Sequence, residues 1–119
     1  AEYVSIAEDG VVAKMPESLS FDEAAGLCDG GLTSLNFLCN VGKIKAGQKV
    51  LINGASGSLG TAAIQIAKHF GAEVTGVCST NNMPLIWELG ADFVIDYTKT
   101  DFCQHTAAYD LIYDTVGVS

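Results

Sequence analysis

Short apolar runs alternate with longer amphipathic stretches over most of this chain. Residues 50–52, 74–78, 93–95 and 111–114 form compact, largely apolar runs, and each predicts a β-strand. The first run is Val-Leu-Ile, apolar at every position. A central strand of a parallel sheet, covered on both faces, has this composition.

The stretches between these runs have helical periodicity. Apolar residues recur at helical spacing from Leu59 to Phe70, which predicts a helix with Gly71 just beyond its end. A shorter helix is predicted over residues 85–89, ending at Gly90. Strands that alternate with helices predict an α/β fold built on a doubly wound parallel sheet of the Rossmann type.

The region before the first predicted strand does not show this alternation of strands and helices. Residues 3–6 and 11–14 are expected to be extended around a turn at residues 8–10, and this unit ends where Pro16 restricts the backbone. Residues 43–47 are expected to form the turn that leads into the first strand.

A helix is predicted between these two turns. Ser20 and Glu23 have the Ser-x-x-Glu spacing of a capping box. The helix is expected to bend or break at Gly30 and Gly31 and to resume over residues 33–39, because glycine weakens a helix interior.

Composition narrows the possible partners. Six basic and fourteen acidic side chains give a net charge of −8, which argues against nucleic acid as a partner. No apolar run approaches the ~20 residues that span a bilayer, so we expect no membrane partner and a cytoplasmic location. The four cysteines lack metal-ligand spacing and are expected to be reduced thiols.

The loop after the first predicted strand carries the strongest chemical motif. Its sequence, Gly-Ala-Ser-Gly-Ser-Leu-Gly over residues 54–60, joins a central strand to an amphipathic helix, the context of a dinucleotide-binding turn. Gly54 permits the tight turn, Gly57 lets the backbone approach a pyrophosphate, and Gly60 allows close packing of helix on strand. The alternative is a turn without a ligand. The residues expected at the pyrophosphate are Gly54, Ala55, Ser56, Gly57, Ser58, Leu59 and Gly60.

The segment after the second strand bears on the choice of cofactor. An acidic residue there would hold the ribose 2′-hydroxyl of NAD(H). Residues 78–82 are Cys-Ser-Thr-Asn-Asn, with hydroxyls and amides and no acid, so NADP(H) is favoured over NAD(H). They include no Arg or Lys to pair with a 2′-phosphate. The same polar residues could also form a turn that caps the next helix.

Four stretches together resemble the medium-chain dehydrogenase/reductase superfamily: residues 17–31, 47–60, 78–92 and 94–117. Within it, the chain is most similar to quinone oxidoreductase-like and zinc-type alcohol dehydrogenase-like proteins. The resemblance implies a fragment. It identifies residues 1–16 as the last part of a GroES-like catalytic β domain, and residues 17–119 as a Rossmann cofactor domain truncated at its C-terminus.

The resemblance also implies roles for individual residues. Ser79, Thr80 and Asn82 match positions near the adenosine ribose or its 2′-phosphate, although many relatives have Arg or Lys where this chain has Asn81. Further matches are Tyr97 at the adenosine end, Thr33 near the nicotinamide, and Val116 and Gly117 beside the cofactor channel. On sequence grounds Tyr97 could equally be a half-exposed aromatic residue after a strand.

Zinc is expected only in a full-length parent protein. Asp29 and Cys28 stand near a position that completes the metal site of zinc-dependent relatives, but the other ligands belong to the catalytic domain. Neither His69, at a helix end, nor His105, in a polar segment, is expected to replace them. We predict no metal site here, with Asp29 capping or hydrogen-bonding near the two glycines.

The implied activity is that of an NADPH-dependent reductase or dehydrogenase. It would transfer hydride between nicotinamide and a small-molecule quinone, activated alkene or carbonyl/alcohol. The catalytic residues stay unknown, because no residue stands out as a general acid or base. The parent enzyme is expected to be a homo-oligomer and the 119-residue chain alone to lack turnover. The alternatives are a zinc-dependent alcohol dehydrogenase and a non-catalytic dinucleotide-binding module.

Overall fold

The computed structural model describes residues 1–104 and 108–117. Within them, four strands form one parallel sheet in the order β3-β2-β1-β4, which confirms the predicted α/β class. The strands are β1 (Lys49–Asn53), β2 (Glu73–Cys78), β3 (Phe93–Asp96) and β4 (Leu111–Asp114).

The strand order places β1 at the centre of the sheet. Val50 lies opposite Val74 of β2 on one side and opposite Leu111 of β4 on the other. The chain therefore moves outward from β1 through β2 to β3 and then returns to the far side of β1. Such a reversal leaves a crevice at the carboxyl ends of β1 and β4.

One helical path runs from residue 21 to residue 41, but it is not a regular α-helix. It comprises α1 (Phe21–Gly26), a π-helical turn (Leu27–Gly31), α2 (Leu32–Leu35) and a second π-helical turn (Asn36–Val41). The predicted irregularity at the glycines is thus a widened turn within a continuous helix. The capping box is present, since the Ser20 hydroxyl accepts the Glu23 N–H and the Glu23 carboxylate accepts the Ser20 N–H.

Two further α-helices pack on the sheet. The longer, α3 (Ser58–His69), is followed by Gly71 with φ of 78°, the left-handed conformation predicted for its end. A short 3₁₀ turn (Thr80–Asn82) leads into α4 (Met83–Glu88). A second 3₁₀ turn (Phe102–Gln104) lies in the crossover to β4.

The main core lies between the sheet and these helices. Val50 and Ile52 of β1 are fully buried there with Ile64 and Ala67 of α3. On the other face, a smaller cluster of Leu51, Val77 and Ile95 is partly covered by Phe102 and Tyr109. Both faces of β1 are therefore buried, as its uninterrupted apolar run predicts.

Residues 1–16 are exposed almost throughout, unlike the strands of the sheet. The turn predicted at residues 8–10 is present, where the Gly10 N–H donates to the Ala7 carbonyl oxygen at 3.0 Å. The flanking extended pieces join no strand of the described sheet. In the described part of the chain, no helix has both the length and the apolar character needed to cross a bilayer.

Candidate functional site

The turn from β1 into α3 is built around two glycines that have no space for a side chain. Gly54 has φ of 75°, and a Cβ there would overlap the Thr115 hydroxyl and lie 2.8 Å from Val116 Cγ2. A Cβ on Gly60 would overlap the Gly54 carbonyl oxygen and lie 2.6 Å from Ala55 Cα. These contacts place the start of α3 directly against the end of β1.

The middle glycine has a different environment. A Cβ on Gly57 would meet only the Gly54 carbonyl oxygen, at 3.4 Å. Gly57 is the N-cap residue of α3 and, having no side chain, caps none of the first N–H groups. The exposed start of this 12-residue helix therefore presents unpaired N–H groups and a positive dipole end, the features that bind phosphate oxygens.

Ala55 does not share this exposure. It is fully buried, and its N–H donates to the carbonyl oxygen of Val77 at 2.9 Å. Within the predicted pyrophosphate turn, Ala55 therefore joins the turn to β2 and offers no free donor to a ligand. In the rest of the turn, Gly57 and Ser58 are exposed, Gly60 is buried like Ala55, and the other residues, Gly54, Ser56 and Leu59, are partly buried.

A cavity of about 950 Å³ opens at the carboxyl edge of the sheet, beside the glycine turn. Five of the predicted cofactor residues line it, together with the segment that follows β3. The lining residues are Asn53, Gly54, Ser56, Gly57, Val77, Cys78, Tyr97, Thr98, Lys99, Thr100, Asp101, Phe102, Thr115 and Val116.

The loop after β2 is tied to the glycine turn. The Asn82 side-chain amide donates to the hydroxyls of Ser56 and Ser79, each at 3.1 Å. These bonds bring two predicted adenosine-side residues, Ser79 and Asn82, against the predicted pyrophosphate turn. They also occupy the Asn82 amide as a donor.

Thr80 is hydrogen-bonded to Asp96, an acidic residue that the sequence analysis did not place at this site. Its hydroxyl donates to Asp96 Oδ2 at the end of β3, and the Thr98 hydroxyl and N–H donate to Asp96 Oδ1 at 2.6 and 3.0 Å. The Thr80 and Thr98 hydroxyls hold the pKa of Asp96 at about 2, below its ordinary value of 3.8. The absence of an acid from residues 78–82 therefore does not make this region neutral, because the parallel register places Cys78 beside Asp96.

Lys99 is the second residue that sequence reasoning missed. Its Nζ lies 3.5 Å from Asp96 Oδ2, and it lines the cavity. It is two residues beyond Tyr97, which also lines the cavity with 57% of its surface exposed. A search for a cation that included the segment after the third strand would have found it.

The end of β4 closes the cavity on the opposite side. Asp114 Oδ1 accepts the Asn53 amide and the Val116 N–H at 3.0 Å, and the Gly117 N–H at 3.3 Å. The Val116 N–H, aided by Asn53, lowers the pKa of Asp114. The predicted channel residues Val116 and Gly117 are thereby fixed beside the end of β1, with Val116 half-exposed at the cavity.

The helical path packs against the start of α3. A Cβ on Gly30 would overlap the Ser58 hydroxyl, and the buried Ser34 hydroxyl donates to the Leu59 carbonyl oxygen at 2.8 Å. Thr33, the residue predicted to lie near the nicotinamide, stands between Gly30 and Ser34 in the sequence. It is half-buried and does not line the cavity.

The possible metal ligands are not clustered. Asp29 is exposed, and its carboxylate hydrogen-bonds to no described residue, so the predicted capping role near the glycines is wrong. The Cys28 thiol donates to the Ala24 carbonyl oxygen. Among residues 1–104 and 108–117, no three His, Cys, Asp or Glu side chains come together as a metal site; His69 ends α3, and His105 lies outside these ranges.

Comparisons with known proteins agree with this architecture. The profile of the zinc-binding dehydrogenase family matches residues 58–119. The trans-enoyl reductase pgmF of Aspergillus terreus is 43% identical over 121 residues, covering 99% of this chain and 34% of that protein. This chain thus spans about a third of the length of that relative.

Two solved structures share the fold. The quinone oxidoreductase from Coxiella burnetii superposes with a TM-score of 0.81 at 38% identity, over 87% of this chain and 32% of that one. The quinone oxidoreductase from Thermus thermophilus, solved also in complex with NADPH, gives 0.76 at 31% identity, over 87% and 36% of the two chains.

The parallel sheet, its strand order and the flanking helices define an α/β domain of the Rossmann type. The chain belongs to the zinc-binding dehydrogenase family, within the medium-chain dehydrogenase/reductase superfamily of oxidoreductases.

Proposed function

We propose that this chain binds NADP(H) as the cofactor domain of a reductase that transfers hydride to a quinone, an activated alkene or a carbonyl group. The observation that carries the proposal is the exposed start of α3 beside the cavity. Gly54 and Gly60 allow this helix end to lie against the strand edge. Gly57 has no side chain to cap the N–H groups of the first turn of α3, so these groups can bind a ligand. A pyrophosphate would be held there by backbone donors.

We assign the remaining parts of the dinucleotide to predicted residues at the cavity and near it. Ser79, Thr80 and Tyr97 would lie at the adenosine ribose, and Thr33, Val116 and Gly117 would lie toward the nicotinamide. The cofactor supplies the hydride chemistry, while the protein binds and orients it. No described residue is assigned as a general acid or base. Burial and then the nearby Asp96 charge raise the pKa of the Cys78 thiol, so this lining residue stays protonated at neutral pH.

The domain boundaries and the cellular context belong to the same proposal. Residues 17–119 would form the first part of the cofactor domain, and residues 1–16 would be the end of a preceding catalytic β segment. The whole enzyme would be a cytoplasmic homo-oligomer acting on a small-molecule substrate. Any zinc would be held by ligands outside the described residues.

A titration of the 119-residue chain with NADPH and NADH, followed by nicotinamide fluorescence, tests the proposal. We expect saturable binding of both, with NADPH the tighter ligand. Absence of binding by either would contradict the dinucleotide site, and tighter binding of NADH would contradict the preference for NADP(H). Addition of a quinone should produce no NADPH oxidation by this chain alone.

A further inference from the structure

The cavity has a single cationic side chain among its described lining residues, that of Lys99. Its Nζ shares Asp96 Oδ2 with the Thr80 hydroxyl, so the ammonium lies within two hydrogen-bond lengths of Thr80. The Lys99 side chain is 68% exposed, which leaves its long stem free to reposition. A cation is thus present at the proposed adenosine end, although residues 78–82 contain none.

Three of the neighbouring polar side chains have their hydrogen-bond donors already engaged. A phosphate dianion accepts hydrogen bonds and needs donors. Thr80 and Thr98 already donate their hydroxyl protons to Asp96, and the Asn82 amide donates to two serines. An ammonium has three donor N–H groups, of which the contact with Asp96 uses only part.

The local charges favour a cation beside the proposed 2′-phosphate. Asp96 is ionised at neutral pH and would repel a phosphate on the adjacent ribose. Asp101 also lines the cavity, but its carboxylate faces its own turn and accepts the Cys103 N–H at 3.0 Å. Lys99 offsets the Asp96 charge at the place where a 2′-phosphate would enter.

We propose that Lys99 is the specificity-determining residue for the ribose 2′-phosphate, taking the place of the basic residue that position 81 lacks. On binding, the ammonium would bridge the Asp96 carboxylate and the phosphate. The inference rests on the proposed dinucleotide site, and it assigns the preference for NADP(H) to a side chain on the loop after β3.

The test replaces Lys99 with methionine, which keeps the stem and removes the charge. The probes are adenosine 2′,5′-bisphosphate and 5′-AMP, which differ by the 2′-phosphate, titrated calorimetrically into the 119-residue chain. In Lys99→Met, affinity for the bisphosphate should fall about three- to tenfold, because an exposed ammonium–phosphate contact is lost. Affinity for 5′-AMP should change less than about twofold, since the charge acts on the absent group.

Lys45→Met is the matched control, because Lys45 is exposed in the turn before β1, at the opposite end of the sheet. It removes the same charge and should bind both probes as the unmodified chain does. Lys99→Arg should keep the preference for the bisphosphate, because a guanidinium also pairs with phosphate. Thermal unfolding should show all three variants as stable as the parent chain.

Each contrary result has a distinct meaning. Suppose that the parent chain binds both probes and that Lys99→Met keeps the full preference for the bisphosphate over 5′-AMP. The role proposed for Lys99 would then be wrong, while the proposed dinucleotide site would still hold. Equal losses in Lys99→Met and Lys45→Met would show a general charge effect and would also overturn the role. If the parent chain binds neither probe nor either dinucleotide, the proposed function fails, and the inference fails with it.

Discussion

At the scale of single residues, three glycines in one turn have three different spatial constraints. Gly60 faces backbone atoms of Gly54 and Ala55, which have no side-chain freedom with which to move away. Gly54 faces the Thr115 and Val116 side chains and also has a positive φ. Gly57 has an ordinary contact with one oxygen and an allowed φ of −79°. Packing therefore requires two of the glycines, whereas the third leaves space for a ligand.

Gly60→Ala and Gly57→Ala form a matched pair that separates these constraints. In Gly60→Ala the new methyl displaces α3 from β1, and we expect a loss of about 1–3 kcal/mol in the free energy of unfolding, as for other overpacked sites. In Gly57→Ala stability should change by less than about 0.5 kcal/mol, because the methyl projects into open space. Urea unfolding measures both.

Gly57→Ala should impair NADPH binding although it leaves stability almost unchanged. Gly57→Ala should weaken NADPH binding about tenfold in the fluorescence titration while remaining fully folded, because its methyl separates the phosphates from the helix N–H groups. Unchanged NADPH affinity in a folded Gly57→Ala would place the pyrophosphate elsewhere. Unchanged stability in Gly60→Ala would contradict the close approach of α3 to β1.

At the scale of elements, periodicity predicts the strands and helices well because each is a local pattern with its own boundaries. The apolar run at β1 and the glycines after α3 and α4 were enough to locate these elements. The π-helical turns were not predictable, since they depend on how residues 21–41 pack against α3. The contact of Thr80 with Asp96 joins residues 16 positions apart and depends on the register of β2 with β3, which no local pattern specifies.

In the candidate site too, the sequence predicted the part that depends on a local pattern and missed the part that depends on strand pairing. Its glycine turn was found because the residues that form it are contiguous in sequence. The charged pair at the adenosine end was missed because Asp96 and Lys99 reach that place only through strand pairing. Asp29 shows the reverse error, in which neighbouring glycines suggested a cap that the widened helical turn does not form.

A hydrogen bond from Ser34 joins α2 to α3. Ser34 is fully buried, donates to the Leu59 carbonyl oxygen at 2.8 Å, and lies 3.5 Å from the Tyr113 hydroxyl. Ser34→Ala should lower the free energy of unfolding by about 1 kcal/mol, the typical net contribution of such a hydrogen bond. Chemical denaturation, monitored by circular dichroism, provides the measurement.

Asn36→Ala is the control for that change, because Asn36 lies in the same helical path but is exposed. Its amide oxygen accepts the Asn40 side-chain amide at 3.0 Å. Its replacement should change stability by less than about 0.5 kcal/mol. If Ser34→Ala were as neutral as Asn36→Ala, the polar contact would not contribute to holding the helix on α3.

At the scale of the whole molecule, the electrostatic field opposes the proposed ligand. The chain has a net charge of −8. Asp96, Asp101 and Asp114 lie at or beside the cavity, whose described lining residues include one cation, Lys99. A dinucleotide with a 2′-phosphate is itself strongly anionic. Its binding must depend on short-range donors at the start of α3 and on Lys99, because the long-range field repels it.

This opposition predicts an unusual salt dependence for the association rate. A negatively charged ligand approaching a positive site binds more slowly as salt is added, because the attraction is screened. Here added salt should screen repulsion, so the association rate constant for NADPH should rise about two- to fivefold between roughly 10 and 150 mM salt, measured by stopped-flow nicotinamide fluorescence. NADH, which lacks the 2′-phosphate, should show a smaller increase at the same protein concentration. A rate that falls with salt would mean that the field at the cavity is positive, and that cationic groups beyond Lys99 determine the approach of the ligand.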